Sequence, residues 1–313
     1  MPWPPRPAIL GRDDLSLLIA IDRPLALDAC SVLKQTSIIS LLAVVGLLGA
    51  TPAVQAQALL PYVLPLNYES LEEQGLLLAQ EALQLAQFQQ YEPALERAQL
   101  ASQLAPESPE VLSLLGSLYL QTGETDQAIA ILQRARRLAP REPSTLFSLG
   151  SAFFQQEEYL QAAEWLEAGL EVSPENAGAY FDLGNAYFKL QRYSDAIAQY
   201  DRAAKLEPEF WPPINNIGLV LFEQGKLAAA MDKWQQTLAL SPDEPEPKLA
   251  MAVALYAQGD RTESVRLGIE ALELDSRYGD LEFLEENLWG TDLLAATESF
   301  FAAPTVRALL AQL

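Results

Sequence analysis

From about residue 75 onward, apolar residues recur three and four positions apart in short blocks separated by polar turns, the pattern of amphipathic helices with one face turned inward. In AGAYFDLGNAYFKLQRYSDAIAQYDRAAKLEP, Tyr180, Leu183 and Tyr187 fall on one face of a first helix. Ala196, Tyr200 and Ala203 fall on one face of a second, and Pro208 closes the block. Prolines stand at 106, 140, 174, 208 and 242, each 34 residues after the last, and glycines at 116, 150, 184 and 218 keep the same phase. Proline cannot continue a helix, so each marks the end of a second helix. The period therefore predicts an all-α chain built from repeated helix pairs.

The same positions carry the same residue types in unit after unit. Leu112, Leu115, Gly116, Tyr119, Ala128, Leu132, Ala135 and Pro140 form one set, and Leu146, Leu149, Gly150, Phe153, Ala162, Leu166 and Pro174 the next. Ile214, Ile217, Gly218, Leu221, Ala230, Trp234 and Pro242 form a third. A 34-residue period with these identities resembles the tetratricopeptide repeat. The resemblance implies a right-handed superhelical solenoid of about six helix-turn-helix units over residues 71–276. The units lie near 75–108, 109–142, 143–176, 177–210, 211–244 and 245–276. Identities thin out at both ends: Glu81 occupies an apolar site of the first unit and Ser276 replaces the stop proline of the sixth. End units have no further neighbour to pack against, which permits this drift.

Beyond the repeats, residues 277–313 carry helical spacing at 281–289 and 292–302, and Pro304 is placed to open a last helix. Leu284, Leu288, Leu293, Phe300, Leu309 and Leu310 would cap the open end of the solenoid, or present a helix to a partner. The tail is similar to those of exported repeat proteins of oxygenic photosynthetic bacteria.

The N-terminus reads as an address. Lys34 precedes TSIISLLAVVGLLGA, and a small-residue cleavage pattern follows, ending at Ala56 or Ala58. Residues 32–58 are expected to be a signal peptide, or an uncleaved membrane anchor, giving an exported protein in the periplasm or thylakoid lumen or one tethered facing that compartment. Residues 1–31, proline-rich and of mixed charge, are read as a misassigned extension, with Val32 as the true start. Residues 59–70 are read as a linker.

Composition narrows the chemistry. Histidine is absent and the one cysteine is Cys30, so zinc sites of Cys and His, nucleophile–histidine triads and an internal disulfide are all unavailable. No phosphate-cradling glycine loop occurs, no cofactor or metal is expected, and a net charge of −22 opposes nucleic-acid binding. The 42 Asp and Glu leave a carboxylate-based hydrolase as a remote alternative. Their spacing instead marks solvated helix faces.

In the family, the first helices of successive units line a concave groove, and the resemblance places Phe147, Phe154, Phe181, Asn185, Phe188, Lys189, Asn215, Phe222 and Tyr256 there. Phe154, Phe188, Phe222 and Tyr256 are spaced by 34 and would make an aromatic ladder, either as groove anchors or as packing between helices. Phe147 and Phe181 hold no consensus packing position and are the stronger groove candidates. Lys189 is the only basic residue among these positions, which speaks against the carboxylate clamp of one subgroup. The expected role is a non-enzymatic scaffold or assembly factor that binds a partner protein segment. The alternative is an accessory subunit of an envelope enzyme complex that holds a small apolar or glycan ligand. The partner and the oligomeric state stay open.

Overall fold

A computed structural model describes residues 67–312. The 1–31 extension, the 32–58 segment and most of the 59–70 linker lie outside these residues. Twelve helices form six consecutive pairs: α1 (Tyr68–Gln87) with α2 (Tyr91–Leu104), α3 (Pro109–Gln121) with α4 (Thr125–Leu138), and α5 (Pro143–Gln155) with α6 (Tyr159–Val172). They continue with α7 (Ala177–Lys189) and α8 (Tyr193–Leu206), α9 (Pro212–Glu223) and α10 (Leu227–Leu240), and α11 (Pro245–Gln258) and α12 (Arg261–Leu274). A 3₁₀ turn (Ser276–Gly279) then leads to α13 (Leu281–Glu286), α14 (Thr291–Phe301) and α15 (Pro304–Leu310). Helix α1 begins at Tyr68, inside the stretch read as linker, because Asn67 accepts the Ser70 N–H and caps it there.

Both turns of each unit have a local cause. Second helices stop at Ala105, Ala139, Ser173, Glu207 and Ser241, each followed by one of the periodic prolines, which bars the helical conformation to the residue before it. In the sixth unit Ser276 stands in the proline's place, and the Asp275 carboxylate ends the helix instead by accepting the Arg277 N–H.

First helices end in a left-handed residue at Gln89, Gly123, Glu157, Gln191, Gly225 and Gly259, a 34-residue period as strict as that of the prolines. Each of these donates its N–H to the carbonyl three residues back, and the next N–H donates five back, which satisfies the free carbonyls of the helix end. Glycine fills three of these places, while Gln89, Glu157 and Gln191 hold the same backbone against steric resistance.

The pairs lock by a large-into-small fit. A Cβ on Gly116, Gly150, Gly184 or Gly218 would lie within 2.4–2.6 Å of Leu132, Leu166, Tyr200 or Trp234, respectively, so these glycines are required for close approach. In the sixth unit the first helix offers Ala252 and the second offers only Gly268. The missing bulk comes from the tail: the Phe300 ring sits where a Cβ on Gly268 would be, 2.3 Å away.

Successive first helices touch directly from α1 to α7, and each second helix packs on its own first helix and on the next. The first helices thus form one layer with second helices on one side only. Helix α14 packs on the opposite, inner side, against α9 and α11, while α15 packs against α12. The tail therefore caps the last unit and also fills part of the groove. Among the described residues, no single helix is long and apolar enough to cross a membrane.

Candidate functional site

The inner face divides into two stretches. Along α3, α5 and α7 it is polar: Ser113 hydrogen-bonds Thr145, and Ser117 pairs with Ser148 at 2.9 Å, each bond bridging neighbouring first helices. At the junction with α9, Asn216 donates to Asn185 Oδ1 at 3.1 Å, and the same oxygen accepts the Tyr200 hydroxyl at 2.8 Å. Asn215 Nδ2 donates to Asn216 Oδ1, while Asn215 Oδ1, fully buried, accepts nothing from the described residues. Along α9 and α11 the face is apolar: Leu219, Leu249, Ala250 and Val253 are wholly buried, as are Leu293 and Phe300 of α14, in one core.

Polar contacts fix the start of α14. The Glu223 carboxylate accepts the N–H groups of Asp292 (3.2 Å) and Leu293 (3.0 Å), an anion at a helix N-terminus. Trp289 Nε1 donates to Glu246 at the start of α11, at 3.2 Å. At the other end, Phe300 meets Tyr256 edge-on at 5.4 Å, with the Arg261 guanidinium on that tyrosine ring. Burial, together with the charge of Asp292, raises the Glu223 carboxyl above its usual range, against the opposing pull of the two N–H groups.

These placements sort the nine sequence-derived positions. Phe154, Phe181, Lys189, Phe222 and Tyr256 keep partial exposure. Phe147 is buried, in contrast to its reading as a strong groove candidate: a Cβ on Gly169 would lie 2.4 Å from its ring, so the absent side chain there makes the seat. Phe181 is the equivalent residue one unit later, where Ala203 stands at the phase of Gly169, and stays partly exposed beside Tyr200 at 5.8 Å and Phe210 at 5.4 Å. Asn185 and Asn215 are buried in the amide cluster. The aromatic ladder is a series of local pairs: Phe154 with Tyr159, Phe188 with Tyr193, Phe222 with Trp234, and Tyr256 with the tail's Phe300. Phe188 is buried among them. The sequence reading missed Glu223, although it stands 34 residues after Lys189 and so shares its phase. Glu246 and Trp289 gave no such signal, because they meet across the fold.

The tyrosines along this edge are neutral donors, not bases. Burial first, then the charges of Glu157 and Glu285, raises Tyr159. Tyr193 is raised by burial, then by Glu223 and Asp292. Burial and the hydrogen bond to Glu167 push Tyr187 up to about 12. Lys189 Nζ lies 5.9 Å from the Tyr159 ring. Among the described residues no group of three Asp, Glu, His or Cys side chains is gathered to hold a metal ion. The arrangement is suited to recognition: partly exposed hydroxyls for backbone groups, and partly exposed rings for apolar side chains.

Models of the tetratricopeptide repeat match residues 79–148 and 147–210, and a third, described as TPR repeat, matches residues 218–259. Together they span more than half of the chain. The chain belongs to the tetratricopeptide-repeat family. No curated protein matches it at a significant level. Among solved structures, this tetratricopeptide-repeat chain is similar to pilF of Pseudomonas aeruginosa at 16% identity and TM-score 0.58, covering 70% of this chain and 98% of that one. A chain of the APC/C hetero-tetramer Cut9–Hcn1 is similar at 18% identity and TM-score 0.59, covering 70% of this chain and 44% of that one. TTC0263, a thermophilic TPR protein of Thermus thermophilus, is similar at 21% identity and TM-score 0.50, covering 58% and 99%. At these identities the likeness concerns the fold alone.

Proposed function

We propose that this tetratricopeptide-repeat protein is a non-enzymatic scaffold or assembly factor that holds a segment of a partner protein along the inner face of α3, α5 and α7. The observation that carries this reading is the contrast within one face. The apolar stretch over α9 and α11 is covered by α14 apart from partly exposed Phe222 and Tyr256, while Ser117, Ser151, Phe154, Phe181 and Lys189 retain solvent exposure on the stretch before it. Neutral hydroxyls, two aromatic anchors and one ammonium favour an extended or helical segment with apolar side chains. Export through the 32–58 segment is part of the proposal, resting on Lys34 and the apolar run after it.

The test is affinity capture from the native cell envelope. Wild type is compared with a chain carrying Phe154→Ala, Phe181→Ala and Lys189→Glu, all at partly exposed positions, with helicity of both checked by circular dichroism. The proposal expects one protein set enriched by wild type and lost from the folded variant. Unchanged capture would remove the groove from the account.

A further inference from the structure

The inner face of α9 and α11 has the construction of a binding site for a helix, and the chain supplies the occupant. Helix α14 lies on it as a single layer. Leu293, Thr297 and Phe300, at positions i, i+4 and i+7, are fully buried against it, whereas Asp292, Ala295, Glu298 and Ser299 face solvent. Its first free N–H groups are received by a side chain of the solenoid, Glu223, and not by a cap from its own preceding residues. Its large anchor, Phe300, enters the space that Gly268 leaves in the sixth unit. These are the features by which a groove recognises a separate amphipathic helix.

The segment leading into α14 is the tight ending of α13: Leu288 donates its N–H to the Glu285 carbonyl and Trp289 to that of Leu284, as at the ends of the first helices. Leu288 adopts φ 69°, a left-handed conformation that a branched side chain resists. Two residues on, Gly290 lies so close to the Glu223 carboxylate that a Cβ there would be 2.2 Å from it. The start of α14 is therefore held by Glu223 and not by its own lead-in, because the turn at Leu288 belongs to the end of α13.

We infer that α14 is a displaceable latch, and that the site beneath it takes an amphipathic helix of a partner protein presenting large apolar residues at the spacing of Leu293, Thr297 and Phe300, with an uncapped start for Glu223. The inference extends the proposed function to a second stretch of the same groove and rests on that reading for the partner, but not for the latch. Exchange of tails between two copies is disfavoured: each carries −22, and the preceding segment is itself anchored by buried Tyr278, Leu284 and Trp289.

The test needs no external partner. A fluorescent peptide of residues 290–303 is titrated against the full chain and against full chain carrying Leu293→Ala and Phe300→Ala. The variant weakens the latch and leaves the groove untouched, so peptide affinity should rise at least tenfold over wild type. A peptide with Phe300→Ala should lose its binding to both chains. Hydrogen exchange should show the α14 amides opening at least tenfold faster in the variant, with α3–α8 unchanged. Absence of peptide binding to both chains, equal binding to the two, or a concentration-dependent dimer that the peptide dissociates would overturn the inference. None of these outcomes depends on the capture experiment, which reads α3–α7.

Discussion

Units five and six differ in who supplies the large side chain at their core. In unit five, Trp234 of the second helix fills the space over Gly218. In unit six the equivalent residue is Gly268, and Phe300 arrives from the tail to fill the space. The fifth unit is complete in itself, whereas the sixth is complete only while α14 is docked. The same contrast runs along the inner face, which is polar and partly exposed over α3–α7, and apolar and covered over α9–α11. Bulk placed in the repeat stabilises the solenoid, while bulk placed in the tail makes stability depend on a detachable element.

The sharpest way to break this comparison is to remove each ring. Trp234→Ala should cost about 3–5 kcal/mol of global stability, as for other buried large-to-alanine changes, read as a lowered denaturation midpoint. Phe300→Ala should cost less globally, because its effect ends once α14 has undocked. Its signature is fast hydrogen exchange confined to α14 and the faces of α9 and α11 beneath it. Equal global losses would refute the distinction.

The next test exchanges the seats of Phe147 and Phe181. Gly169→Ala should expel the Phe147 ring at a cost of about 1–3 kcal/mol, the range for overpacking a tight site. In the reverse direction, Ala203→Gly should open the equivalent space beside Phe181. Ring exposure can be followed by reactivity to a photogenerated carbene, which should rise at Phe147 in the first variant and fall at Phe181 in the second.

Smaller effects belong to the turns. Glu157→Gly and Gln191→Gly relieve left-handed strain and should each stabilise by about 0.5–1 kcal/mol.

The smallest effect is that of pH. Burial raises the Glu223 carboxyl in the docked tail, and undocking returns it toward the ordinary carboxylate value. The docked form therefore holds its proton more tightly. Docking should be weakest at neutral pH, strengthen as pH falls through the raised value, and gain nothing further below the ordinary one. Exchange rates of the α14 amides, corrected for intrinsic chemistry, check this, and Glu223→Gln should abolish the dependence.

The fold was legible because its determinants are local and periodic: Pro174 stops a helix, and Gly184 admits Tyr200, whatever lies elsewhere. The C-terminal helices were equally legible, since Pro304 and the spacing of Leu293 and Phe300 are local signals. Their destination was not. That α14 lies in the groove depends on Gly268 lacking a side chain and on Glu223 and Glu246 meeting residues far along the chain. The groove positions were half legible for a similar reason. Phase placed Phe147 and Phe181 alike, but the Phe147 ring is seated over Gly169, while Phe181, with Ala203 at that phase, stays partly exposed.

The central claim is that the uncovered inner face of α3–α7 is the working surface. The most direct measurement replaces Phe181 on that face, and separately Leu160 on α6, with a photo-crosslinking amino acid and irradiates each chain in the native cell envelope. Leu160 is 59% exposed, so its reporter is no less accessible. The account predicts a discrete crosslinked partner from position 181 and none from position 160, with the attachment mapped to one segment of that partner. The same product from position 160, or none from position 181, would contradict it.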